Sequence, residues 1–106
     1  MKRICVDIDG TICTLTDGKY EEAQPYKERI EYINELHDEG AEIIYWTARG
    51  GNSGKDHTEL TKSQLEQWGA KYTELRLDKM PFDYLIDDKA YNTNKFFQGG
   101  YFDDFS

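Results

Sequence analysis

Apolar residues along the chain fall into short unbroken runs and into sets recurring every three or four positions, and the two kinds alternate. Ile4-Cys5-Val6, after Lys2 and Arg3, is a short β-prone run that stops at Asp7, the pattern of a buried strand ending in a polar turn. Gly10, Thr14, Thr16, Asp17 and Gly18 mark residues 10–24 as a loop or small hairpin. Pro25 suits the first turn of a helix. In that helix Tyr26, Ile30, Ile33 and His37, flanked by Arg29 and Leu36, recur at helical spacing until Gly40 stops it. Residues 42–47 form a second run, nearly continuous in apolar character, as expected of a strand covered on both faces. The glycine-containing stretch 48–57 reads as a loop. Thr58 is placed to cap a second helix, with Leu60, Leu65 and Trp68 facing inward and Gly69 ending it. Residues 72–77 predict a third strand and residues 84–87 a fourth. The aromatic tail, with Phe96, Phe97, Tyr101, Phe102 and Phe105, is expected to fold back over one sheet edge.

Strand, helix, strand, helix, strand, strand is the order of an α/β domain with a mainly parallel sheet, expected to occupy residues 1–106 as one domain. In open parallel sheets ligands bind beyond the carboxyl ends of the strands. Three of the predicted strands end in Asp7, Thr47 and Asp87, whose side chains are expected to share one crevice. The balance of 13 Lys and Arg against 21 Asp and Glu leaves a formal charge of −8. A surface of that sign repels phosphate backbones and weighs against non-specific nucleic-acid binding. The chain carries no apolar run near the roughly 20 residues of a membrane span and no signal-peptide pattern, so a cytoplasmic protein is expected. Cys5 and Cys13 lack the spacing of a zinc or redox pair and are expected to be reduced, with Cys5 packed in its apolar run.

The candidate chemistry lies at the strand ends. Asp7 and Asp9 follow the first strand, and Asp87 and Asp88 end the fourth. Four carboxylates at one edge repel one another unless a cation sits among them, and hard oxygen ligands suit Mg²⁺. Any one of these aspartates alone reads as a turn cap; two acidic pairs on one edge read as a site. The Thr47 hydroxyl, with the backbone amides of Ala48, Arg49 and Gly50, makes an anion cradle, and Lys79 can bring a cation to it. Arg49 either binds a substrate anion or braces the Thr47 loop. His57 reads as a solvated loop residue, and Trp46 and Trp68 as core anchors.

Asp7-Ile8-Asp9-Gly10-Thr11 resembles the Asp-x-Asp-Gly-Thr signature of the haloacid-dehalogenase superfamily. Thr47 after an apolar strand resembles its second motif, Lys79 its third and Asp87-Asp88 its fourth. The stretches 46–50, Ser53-Gly54, Gln64-Leu65, Trp68-Gly69 and 86–90 resemble the small capless phosphatases labelled for capsule or polysaccharide biosynthesis. The resemblance implies a three-layer Rossmann-like core and a Mg²⁺-dependent phosphomonoesterase acting on a phosphorylated sugar or glycan precursor. It implies that Asp7 is the nucleophile and Asp9 the general acid and base. Thr47 and Lys79 hold the phosphoryl oxygens, and Mg²⁺ is bound by Asp7, the Asp9 carbonyl and Asp88, with Asp87 as an outer-shell ligand, the order of those two aspartates being left open by the sequence. Relatives of this kind often carry proline directly after the third-motif lysine; here Met80 intervenes before Pro81, and Lys55 is the alternative cation. Neither the interval between Asp9 and Thr47 nor that between Thr47 and Lys79 can hold a lid domain. An open site calls for a large substrate or a wall from a neighbouring subunit. The competing readings are a polynucleotide-end phosphatase, which the acidic charge disfavours, and a non-enzymatic phospho-acceptor signalling domain, whose acidic residues come in a different order.

Overall fold

The computed structural model describes residues 2–50 and 56–100. Strand β1 (Arg3–Val6), helix α1 (Lys27–Asp38), strand β2 (Glu42–Trp46), helix α2 (Thr58–Gln67) and strand β3 (Glu74–Arg76) follow in chain order. A short helix α3 (Thr93–Lys95) then continues into a wider turn, Phe96–Gly100. Both strand pairs are parallel, with Arg3 opposite Glu42, Val6 opposite Tyr45, and Ile44 opposite Glu74. The sheet order is β1-β2-β3. Helices α1 and α2 share one face, since Ile30, Ile33 and Leu36 of the first and Leu65 of the second join one buried cluster with Ile43 and Tyr45 of β2, as two crossovers of the usual hand in one direction require. Asn34 of α1 ties them together, donating to the Gly69 carbonyl at 2.8 Å and accepting from the Lys71 amide at 2.8 Å.

The core sits beneath those helices. Side chains alternate along a strand, so Ile43 and Tyr45 point one way and Ile44 and Trp46 the other. Ile43 and Tyr45 join Ile30, Ile33 and Leu36 of α1, Leu65 of α2, and Ile8, Ile12 and Cys13 of the first loop in one buried cluster. The Tyr26 side chain makes no capping bond at the start of α1. That helix is held instead by its apolar stripe, each buried isoleucine contributing about 1.5–3 kcal/mol. The stripe closes on Leu36 rather than His37, and Gly40 ends the helix with φ +105°.

Residues 84–87 correct one expectation, since they form no strand. Tyr84 is 89% and Ile86 98% exposed, and among the described residues the outer edge of β1 pairs with nothing. Cys5 on that strand is therefore exposed rather than packed. A short apolar run becomes a strand only where it meets a partner edge. Here the chain leaves β3, passes Met80-Pro81 and runs across the surface into a turn. The tail differs too. Phe96 and Phe97 pack edge-on against Tyr32 of α1, with ring centroids 5.5 and 6.2 Å away. Tyr101, Phe102 and Phe105 lie outside the described residues. No helix among the described residues is long and apolar enough to cross a membrane.

Candidate active site

Beyond Val6 the chain turns sharply, and that turn places the first-motif side chains. The amides of Thr11 and Ile12 both donate to the Ile8 carbonyl, at 3.0 and 2.9 Å, and the Gly10 amide donates to the Cys13 carbonyl at 2.9 Å. Gly10 takes φ +83°, and a Cβ there would stand 3.2 Å from Leu15. Only glycine meets both conditions without strain. Ile8 points into the core with no exposure, while Asp7 and Asp9 on either side of it reach two separate cations, Lys79 and Arg49.

The turn brings Asp7 to Lys79. Lys79 Nζ lies 3.4 Å from Asp7 Oδ1, while the Thr11 hydroxyl donates to Asp7 Oδ2 at 3.2 Å. Lys79 reaches that point because its amide donates to the Thr47 carbonyl at 3.2 Å. Its ammonium also stands 5.6 Å from the Trp46 ring and 5.4 Å from the Phe82 ring, a favourable setting for a cation. Thr47 is 1% exposed at the end of β2, and its hydroxyl oxygen accepts from the Arg49 amide at 3.3 Å. Ala48 lies half-buried between them. Three motifs distant in sequence thus converge beyond the ends of β1 and β2, where the sheet rule places a ligand.

Asp9 has a different partner. Arg49 Nε donates to Asp9 Oδ2 and Arg49 Nη2 to Asp9 Oδ1, both at 2.8 Å. Arg49 Nη1 donates to Thr61 Oγ1 at 3.2 Å and to Gln64 Oε1 at 2.5 Å. The guanidinium also lies 4.7 Å from the centre of the Tyr20 ring. Of the two roles open to Arg49, this geometry is the bracing one: the side chain has no exposure, and it ties the first loop to α2. Its Asp9 bonds hold its positive charge firmly against the cost of burial. Burial, helped by the negative charge of Asp9, pushes the neighbouring Cys13 thiol up to about 12.

Thr61 and Gln64 were not legible as site residues, because polar side chains on a helix read as a solvated face. A signal did exist: positions 61, 64, 65 and 68 share one helical stripe, and Leu65 and Trp68 were expected inside. Polar groups on an inward stripe call for a buried charge to satisfy. Gln64 also donates to the Tyr20 carbonyl at 2.6 Å.

The second acidic pair is not brought to the first. Asp87 and Asp88 lie exposed on the surface segment, and Asp87 Oδ1 accepts from the Lys89 amide at 2.7 Å in a local turn. Among the described residues no three His, Cys, Asp or Glu side chains group as a metal would require. Asp7 is engaged by Lys79 and Thr11, and Asp9 by Arg49, so the donors as placed do not fit Mg²⁺. Lys55 lies outside the described residues.

No protein-family profile and no curated protein matches the chain. Among solved structures, the crystal structure of a structural-genomics target from Vibrio cholerae is similar. It is 31% identical, with 91% of this chain and 87% of that one covered, at a TM-score of 0.76.

Proposed function

This chain belongs to one family with the Vibrio cholerae protein, and for its site we propose a phosphomonoesterase that works through an aspartyl-phosphate on Asp7. The fold in this reading is a three-layer, haloacid-dehalogenase-type core without a cap. The observation that carries the reading is the convergence of Asp7, Thr47 and Lys79, with Lys79 Nζ 3.4 Å from Asp7 Oδ1. A carboxylate beside a cation and an amide-lined loop is a nucleophile next to a place for phosphoryl charge.

Thr11 holds Asp7 Oδ2, so Oδ1 is the attacking oxygen. It forms a bond to phosphorus as the ester P–O bond breaks, and Asp9, having first taken a proton from solvent as its fork with Arg49 opens, passes that proton to the leaving oxygen. Water then attacks phosphorus, Asp9 takes its proton, and the bond to Asp7 breaks to release phosphate. Both Asp9 oxygens accept from Arg49 in the resting arrangement, so one of those bonds must open for the proton to move. Thr47 and Lys79 hold the phosphoryl oxygens, with the Ala48 and Arg49 amides beside them. Because the donors as placed do not fit Mg²⁺, the magnesium dependence implied by the resemblance stands outside this mechanism, and no step above is routed through the ion. An uncapped site suits a large phosphorylated sugar or glycan precursor, or a wall lent by a second copy.

Turnover of 4-nitrophenyl phosphate with Mg²⁺ tests the reading. Asp7→Asn is expected to lower kcat/KM on the order of 10³-fold or more, as for loss of a covalent nucleophile. No turnover by the natural chain, or retained turnover in Asp7→Asn, overturns it. A chain that is phosphorylated but does not turn over is the signalling domain instead.

A further inference from the structure

We propose that Thr93, at the start of α3, is a positioning residue for Asp7, acting through Thr11; the proposal rests on the phosphomonoesterase reading. Thr93 Oγ1 lies 2.8 Å from Thr11 Oγ1 across 82 residues of sequence. A threonine hydroxyl has one proton. Thr11 places its proton on Asp7 Oδ2, so the shorter contact between the two threonines is donated by Thr93. The result is a directed chain from Thr93 through Thr11 to Asp7 Oδ2. It stops the Thr11 hydroxyl from turning away and keeps Asp7 Oδ1 beside Lys79.

Both ends of the chain are anchored. The Thr11 carbonyl accepts from Arg29 Nη1 at 3.0 Å, and the same guanidinium lies 4.9 Å from the centre of the Phe97 ring. On the other side Asn92 caps α3, its side chain accepting from the Asn94 amide at 3.1 Å. The Phe96 amide donates to the Asn92 carbonyl at 2.9 Å. The packing of Phe96 and Phe97 on Tyr32 then fixes α3 against α1. A segment C-terminal to every motif of the chain therefore orients the reacting carboxylate, and small errors in such orientation are expensive in rate.

Kinetics on 4-nitrophenyl phosphate with Mg²⁺ test this. Thr93→Val is expected to lower kcat about ten-fold with KM changed less than about two-fold, the size of one lost hydrogen bond felt in the reacting state. Thr93→Ser, which keeps the donor, is expected to restore kcat to within about two-fold. In a Thr11→Val background the Thr93→Val change is expected to cost under about two-fold, because the chain is already cut. A Thr93→Val kcat within about two-fold of the natural chain overturns the proposal. So does a Ser variant as impaired as Val, or a full ten-fold loss added to Thr11→Val. Asp7→Asn in the same assay separates the two failures. If Asp7→Asn turns over, the nucleophile assignment falls and this one with it. If it is inactive while Thr93→Val is normal, only the positioning role falls.

Discussion

Replacing Arg49 by methionine keeps most of its buried bulk and removes every charge-assisted bond it makes. Five hydrogen bonds disappear, two of them to Asp9 at 2.8 Å and the longest, 3.9 Å, to Cys13 Sγ. Asp9, with its side chain only 17% exposed, is left as a largely buried anion without its cation. Removing one partner of a buried pair costs about 3–5 kcal/mol. The residual exposure of Asp9 lets water recover part of that, which places the expectation near the lower end, about 3 kcal/mol. Domains of this size are stable by roughly 5–15 kcal/mol, and each kcal/mol moves Tm by about 4–8 °C. Arg49→Met should therefore melt about 12–24 °C early. Urea unfolding followed by circular dichroism measures it, through a lower midpoint at unchanged slope. Asp9→Asn alone should also be costly, because it strands a fully buried guanidinium. The double variant removes both charges, so its loss should fall short of the sum of the single losses by about 2 kcal/mol. A single-variant loss below about 1 kcal/mol, or single losses that simply add, would show that this fork does not hold the first loop to α2.

Two further outcomes follow from buried groups. Cys13 is neutral in the folded protein because burial pushes its thiol from an ordinary 9.0 up to about 12. The unfolded chain ionises above pH 9 while the folded one does not, so this group's contribution is intact below pH 9 and is lost as pH rises toward 12. Urea midpoints at pH 8 and pH 10 should fall less for Cys13→Ala than for the natural chain, and iodoacetamide at pH 8 should label Cys5 alone until the protein unfolds. Tyr45 is fully buried, and its hydroxyl has no hydrogen-bond partner among the described residues. Tyr45→Phe should accordingly raise stability by about 1 kcal/mol; a lower urea midpoint in that variant would mean the hydroxyl has a partner in solution.

Most of the scaffold was legible because its signals are local. The runs at β1 and β2, the Ile30–Ile33–Leu36 stripe and the stop at Gly40 each act within a few residues. Residues 84–87 misled because a short apolar run shows β preference without saying which edge it will meet. Asp7, Thr47 and Lys79 could be named from motif order, and Asp9 with them. Arg49 could not be assigned to bracing, since its partners Thr61 and Gln64 come from a helix that looks amphipathic only when those two are counted as inward. Thr93 was invisible for a simpler reason: a hydroxyl contact across 82 residues leaves no periodic trace.

The outer side of β1, which no described residue pairs with, sets how the protein behaves in a concentrated tube. Its row of amides and carbonyls offers a template on which another chain can register, and Arg3, exposed and paired with Glu42 across the sheet, is the charge standing guard there. Replacing Lys2 and Arg3 together with glutamine removes that guard. Preparations so treated should thicken into oligomers well before the native chain does, and added salt should hasten it by damping whatever repulsion remains.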